Sequence, residues 1–185
     1  TAIVEVASAS GLSRLGPTER NPLVTTTYGT GQLILAAMEA GYRHILIGLG
    51  DSGTNDAGAG LASCLGIRCL DRSGQELPPG GASLINLHSV DPNGIHPALA
   101  SSTLTALYDV TNPLCGANGA SFTYGPQKGA TPEQAQLLDA ALENFAAVLE
   151  TIYERDIRNL QGAGAAGGLG GGLAGFFGAI LRSGF

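Results

Sequence analysis

The run Gly48-Leu49-Gly50-Asp51-Ser52-Gly53-Thr54-Asn55-Asp56-Ala57-Gly58-Ala59-Gly60 leaves few options for the chain around it. Upstream, His44-Ile45-Leu46-Ile47 is a short apolar stretch that reads as a buried strand. Downstream, a helix is expected over 57–66, around Leu61-Ala62-Ser63-Cys64-Leu65. A strand, a glycine-rich turn and a helix start bring backbone N–H groups close to a guest and favour negative charge, so phosphate is the natural ligand. Asp51 and Asp56 repel a bare pyrophosphate. A phosphate carrying Mg²⁺, or a polyhydroxy substrate, suits a loop that also offers the hydroxyls of Ser52 and Thr54.

The same alternation extends in both directions. Residues 2–7 read as a strand, 11–27 as loop broken by Pro17 and Pro22, and Gln32–Ala40 as a helix with Gly41 just past its end. Strands are expected at 67–70, Leu84–Leu87 and Ser101–Asp109. Thr131-Pro132-Glu133-Gln134 is a strong helix start, with Thr131 as N-cap and Gln134 closing a capping box. That helix is expected to reach about Glu154, with Leu137, Leu138, Ala141, Leu142, Phe145, Val148, Leu149 and Ile152 on one stripe. The fold class is therefore α/β: one domain over 1–185, a mixed sheet with packed helices, and a β-rich insertion within 72–130.

Composition narrows the function. Charged residues are only 13% of the chain and the net charge is −6, which argues against a nucleic-acid partner. The three cysteines, Cys64, Cys69 and Cys115, lack metal-ligand spacing and read as reduced thiols in a cytoplasmic protein. Gly162–Leu181 is a charge-free stretch, but nine of its twenty residues are glycine, which fits a closely packed helix better than a membrane span. Neither terminus has the polar character of a natural chain end, so the sequence reads as an internal piece of a longer protein.

Other candidate sites are local. Asp109 closes a strand before Val110-Thr111-Asn112-Pro113, where α/β sheets place their ligands; an Asx turn before proline explains it equally. Lys128, the only lysine, lies in Gly125-Pro126-Gln127-Lys128-Gly129 before the helix at 132, an anion-site arrangement that a solvated surface lysine would also satisfy. The segment 44–71 fits a dinucleotide fingerprint, Gly48-x-Gly50-x-x-Gly53 with Asp71 as the acid, but Gly162-x-Gly164-x-x-Gly167 matches as well and follows a helix. His44 reads as structural, His88 and His96 as exposed.

Taken together, several motifs resemble the bacterial glycerate kinase family. They are Val4–Leu12, Tyr28-Gly29-Thr30-Gly31-Gln32-Leu33-Ile34, Gly48–Gly60, Asp109–Leu114, Phe122–Ala130 and Gly162–Gly168, in the family's order and approximate spacing. The resemblance covers essentially the whole chain. The family loop reads Gly-Gly-Ser-Ala-Thr-Asn-Asp-Gly-Gly, and this chain carries Asp51 in place of the second glycine.

The resemblance implies ATP-dependent phosphorylation of D-glycerate, giving 2-phosphoglycerate, with Mg²⁺. It assigns Asp56, Asp109 and Lys128 to catalysis, with Asp56 and Asp109 also at the metal. Gly48, Gly50, Ser52, Thr54, Asn55, Asn112, Gln127, Gly164 and Gly167 fall to substrate and nucleotide. It also implies a two-lobed kinase of which this is the inserted lobe, holding half of the active site. The surface left by the other lobe is expected near Gly48–Gly60 and Gly162–Gly172, where it would allow self-association. A non-catalytic ligand-binding or structural domain, and a dinucleotide-binding domain, are the competing readings.

Overall fold

Side-chain alternation decides the sheet: Val4, Ile45, Ile47, Leu104 and Ala106 are buried, while their neighbours within the strands are not. In chain order the computed structural model, which describes residues 1–184, runs β1 (Ala2–Glu5), α1 (Ala7–Ser10), α2 (Tyr28–Glu39), β2 (His44–Gly48), α3 (Ala59–Cys64), β3 (Arg68–Leu70), β4 (Ser89–Asp91), β5 (Thr103–Tyr108), α4 (Ala120–Tyr124), α5 (Pro132–Tyr153), α6 (Ala165–Phe177) and β6 (Ile180–Ser183). Turns of 3₁₀ helix occupy Leu12–Arg14, Gly81–Asn86, Pro97–Ser101 and Pro126–Lys128.

The main sheet has the order β1-β2-β5-β6, and every pairing in it is parallel. Strand order follows chain order, so each crossover steps the same way. Right-handed connections that never reverse direction put all their helices on one face. The antiparallel pair β3–β4 stands apart as a two-stranded ribbon; outside the main sheet only β4 falls within 72–130, which is mostly turns and short helices rather than the β-rich insertion expected there. The fold is thus α/β with a parallel sheet and packed helices, and its two strand directions are divided between two sheets.

Two apolar clusters fill the molecule. The first lies between the sheet and the helices and joins Val4, Ile45, Ile47, Leu104 and Ala106 to Ile34, Met38, Leu61, Leu169 and Leu173. The second surrounds α5 and joins Leu142, Phe145 and Leu149 to Leu84, Leu87, Leu114 and Phe176. Helix α6 contributes to both, so it ties the sheet to the helical layer.

The start of α5 follows its sequence. Thr131 Oγ1 accepts from Gln134 N at 3.2 Å, and Thr131 N donates to Gln134 Oε1 at 2.9 Å, which completes the capping box. The buried stripe is narrower than the apolar pattern: Leu138, Ala141, Leu142, Phe145, Ala146 and Leu149 are inside, whereas Leu137 and Ile152 are each 41% exposed. Leu142→Ala is accordingly expected to destabilise by about 2–5 kcal/mol and Leu137→Ala by less than about 1 kcal/mol. Urea unfolding of both variants checks the orientation of the helix, and equal losses would contradict it.

Two expected elements differ. Leu84–Leu87 is not a strand but the end of a 3₁₀ turn, because Leu84 and Leu87 both point into the α5 cluster while Asn144 Nδ2 donates to Leu84 O at 2.8 Å and to Leu87 O at 2.9 Å. The stretch Gly162–Leu181 is not one helix: α6 ends at Gly178, which has a φ of +63°, and the chain re-enters the sheet as β6. No helix among the described residues is long and apolar enough to cross a membrane.

The glycines of α6 admit another backbone. A Cβ on Gly172 would collide with the carbonyl of Ala57, so the helix lies directly on the glycine loop. Of the patch expected to be exposed near Gly48–Gly60 and Gly162–Gly172, only Gly50 and Asp51 are exposed. Residues 162–176 are buried inside this domain, and 52–58 are buried against them.

Candidate functional site

Where β2 and β5 end, their loops diverge and leave a cleft of about 170 Å³. Leu49, Gly50, Asp51 and Ser52 form one wall, Asp109 and Val110 another, and Tyr124, Gln127, Lys128 and Ala166 the rest. A roomier cavity of about 250 Å³ lies elsewhere, among Thr26, Tyr28, Cys69, Pro78 and Leu84. It is mostly apolar and contains none of the expected catalytic groups.

Lys128 is the centre of the cleft floor. It is only 2% exposed, and its Nζ donates to Ser52 Oγ at 2.9 Å and to Thr54 O at 2.7 Å. Burial pushes the ammonium down to about 7, against the pull of Asp56 and Asp51. The geometry has a local cause. Pro126 opens a 3₁₀ turn, and Gly129, with a φ of +95°, ends it, so the single lysine is turned inward across the glycine loop.

Asp56 organises that loop from beneath. Its Oδ2 accepts from Thr27 N at 2.8 Å, Thr27 Oγ1 at 3.0 Å and Gly60 N at 3.2 Å; its Oδ1 accepts from Gly58 N at 3.1 Å. The residue is wholly buried, and burial pushes its carboxyl above the ordinary range despite these four donors. Asn55 is also internal: its Nδ2 donates to Ser121 Oγ at 3.0 Å, while Asn55 Oδ1 and Thr54 Oγ1 have no partner among the described residues.

Of the residues expected at the site, the structure brings Gly50, Ser52, Asp109, Gln127 and Lys128 together around the cleft, with Thr54 behind Lys128. Asn112 stands one layer out: its Oδ1 accepts from Tyr124 OH at 2.7 Å and so aims a cleft residue. Gly48, Gly164 and Gly167 do not line the cleft. A Cβ on Gly48 would strike the Glu5 carboxylate, one on Gly164 the Pro113 carbonyl, and one on Gly167, whose φ is +68°, the Thr54 carbonyl. Gly164 and Gly167 are packing positions that let the site's loops approach one another, whereas the exposed Glu5 side chain can move away from Gly48.

Tyr124 and Ala166 were missed. Tyr124 falls in the Phe122–Ala130 motif, but only the tertiary contact with Asn112 singles it out. Asp51 has a φ of +50° and Ala57 a φ of +48°. Both stand where the family loop has glycine, which explains that pattern: the left-handed backbone favours a residue without a Cβ.

The dinucleotide arrangement is not formed. After α3 the chain does not return to the main sheet; β3 pairs antiparallel with β4. Asp71 is occupied by its own turn, accepting from Ser73 N, Ser73 Oγ and Gln75 N at 2.7–3.0 Å. Of the histidines, His44 and His88 are exposed, and His96 is half-buried, with its Nδ1 accepting from Ala98 N at 3.3 Å.

A parallel sheet with a glycine loop, a buried lysine and carboxylates at its strand ends places these groups where α/β proteins hold their ligands. The family profile described as "Glycerate kinase family" matches residues 1–185, and the chain belongs to that family. It is 47% identical over 184 residues to Glycerate 2-kinase of Escherichia coli K12, covering 100% of this chain and 48% of the relative. It is 49% identical over 173 residues to Glycerate kinase of Haemophilus influenzae, covering 94% and 46%. The crystal structure of a protein provisionally designated glycerate kinase 2 from Salmonella typhimurium LT2 superposes with a TM-score of 0.94 at 47% identity, over 98% of this chain and 48% of that one. The chain spans about half the length of these relatives.

Proposed function

We propose that this chain carries one wall of a glycerate kinase active site, in which ATP is the phosphoryl donor and D-glycerate the acceptor, giving 2-phosphoglycerate. The observation that carries the reading is Lys128: a buried cation joined to Ser52 and Thr54 of the glycine loop, at the floor of a cleft that Asp109 borders. Phosphoryl transfer depends on positioning and charge stabilisation more than on covalent chemistry, and a preorganised lysine meets that need.

Within the reading, Lys128 fixes the loop and lends positive potential to the phosphate side of the cleft. Ser52, Gly50 and Gln127 contact substrate or nucleotide, and Tyr124 closes the side wall. Asp109, exposed at the end of β5, accepts the substrate hydroxyl proton or ligates Mg²⁺. Asp56 is spent on four donors, so it serves as the loop's organiser and the metal falls to Asp109, with Asp51 nearby. Two cleft carboxylates, with no third ligating side chain grouped with them among the described residues, would suit a hard cation that takes its remaining oxygens from phosphate and water, and such a cation would neutralise phosphate charge. Free thiols at Cys64, Cys69 and Cys115 suit a cytoplasmic setting.

The cleft is open to solvent, and one wall alone cannot hold donor and acceptor in line. The purified chain is therefore expected to fold cooperatively yet show no glycerate-dependent ATP consumption, while a version extended to the length of its relatives turns over. Turnover by the chain alone, abolished by Lys128→Ala, would mean that the second half is dispensable.

Asp51 tests the electrostatics separately. Its carboxylate borders the cleft and opposes an anion there. Asp51→Gly is expected to tighten phosphate binding by roughly 3–10-fold at low salt, less at 0.15 M, since exposed charges are screened. Isothermal titration with inorganic phosphate measures it; weaker binding by the variant would show that Asp51 acts through a metal.

A further inference from the structure

The main sheet is covered by helices on one face only. On the other, Ile3, Leu46, Thr105 and Ile180 lie side by side in register across all four strands. The next row is Glu5, Gly48, Leu107 and Arg182. Ile3 is 70% exposed and Ile180 44%. Ile3, Leu46, Leu107 and Ile180 join neither apolar cluster, although their strand neighbours Val4, Ile45, Ile47 and Ala106 are core residues.

A parallel sheet bare on one face is an anomaly, because such sheets occur almost only with both faces covered. The chain's own topology cannot supply the cover. Crossovers that all step one way deliver their helices to one side, and that side is filled.

We infer that this open face is the docking surface for the half of the glycerate kinase chain that its relatives possess beyond the matched region. Three observations favour that occupant. The relatives are about twice as long, so a body of similar size is available. The Salmonella structure retains this fold over 98% of the present chain within a longer polypeptide. The face is also continuous with the candidate site: Gly48, within the second row, is the last residue of β2, and Leu49 and Gly50 begin the cleft wall. A body seated on the sheet therefore arrives at the cleft mouth, where the proposed function needs a second wall. The inference shares with that reading the premise of a second half, but it does not depend on the chemistry.

The face also describes its partner. Four strands at about 4.8 Å spacing offer a strip about 14 Å across, enough for one or two helices. An aliphatic stripe in the centre meets Leu46 and Leu107. A basic group suits the Glu5 edge and an acidic one the Arg182 edge.

The test is the reactivity of a thiol placed in the middle of the strip. Leu46→Cys is made in the 185-residue chain and in a chimera where that chain replaces the matching region of the E. coli enzyme. Maleimide labelling is followed by peptide-resolved mass spectrometry, which separates the new thiol from Cys64, Cys69 and Cys115. Labelling is expected to be at least tenfold slower in the chimera than in the chain alone. Thr105→Cys, and a cysteine at the position of the E. coli enzyme aligned with Leu46, give the same comparison should the first chimera fail to fold. Equal rates in both contexts, in a cooperatively melting protein, overturn the inference. So does protection in the chain alone accompanied by a dimer in light scattering, since the occupant is then a second copy. Protection without glycerate-dependent ATP use supports the docking surface and counts against the kinase reading; the converse result does the reverse.

Discussion

Lys128→Met is expected to abolish anion binding in the cleft while leaving the fold intact. The methionine fills nearly the same volume, and exchanging a buried ion for an apolar group of similar shape is often near neutral for stability. The losses are the two hydrogen bonds to Ser52 Oγ and Thr54 O. In a protein extended to the length of its relatives, kcat is expected to fall by about 10²–10³, the usual effect of removing one preorganised charge-stabilising donor. In the chain alone, phosphate binding is expected to fall at least about tenfold, one charge-assisted hydrogen bond being worth 1.5–3 kcal/mol.

The same substitution has a pH signature. In the folded protein the ammonium titrates at about 7, against 10.5 for an ordinary lysine. Between those values the unfolded chain holds a proton that the folded one lacks, so this group makes stability rise as pH climbs from about 7 to about 10.5. Below 7 both states are protonated, and its contribution is flat and unfavourable. The gradient is bounded at about 1.4 kcal/mol per pH unit. Lys128→Met removes it. Guanidinium unfolding at pH 6.5, 8 and 9.5 reads the difference, and parallel profiles for both proteins would place the lysine in solvent.

Asp56→Ala is expected to be the most damaging single change, at about 3–5 kcal/mol. Four donors from two segments converge on this carboxylate: Thr27 N and Oγ1 at the start of α2, and Gly58 N and Gly60 N at the start of α3. Removing it strands them in a space closed to water. Thr27 Oγ1, which also accepts from Leu61 N at 3.0 Å, then loses its orientation. Asp56→Asn keeps one acceptor oxygen and is expected to cost less. Denaturant melts of the two variants rank them. A near-neutral Asp56→Ala with lost phosphate or metal binding would return Asp56 to the ligand-binding role that its motif implies.

Local chemistry was legible in the sequence alone. The capping box at Thr131–Gln134, the strand at 44–48, the end of α2 at Gly41 and the glycine loop all follow from short-range rules, because caps, alternation and turns are decided by residues a few positions apart. Ser52, Asp109, Gln127 and Lys128, all singled out from motifs, line one cleft.

Which of those residues faces a ligand and which faces the protein needed the tertiary structure. Asp51 and Asp56 are both loop carboxylates, yet one is exposed at the cleft and the other is wholly buried under four donors. Two of those donors, Gly58 N and Gly60 N, are local, but the other two come from Thr27, twenty-nine positions away. Glycine is equally mute. Gly50 borders the cleft, whereas Gly164 and Gly167 are glycine because the Pro113 and Thr54 carbonyls occupy the space a side chain would take. The bare sheet face was illegible for the same reason. Leu46 and Ile47 are adjacent and alike in the sequence, and only strand order and crossover direction decide which of the two looks into a core and which toward the uncovered face.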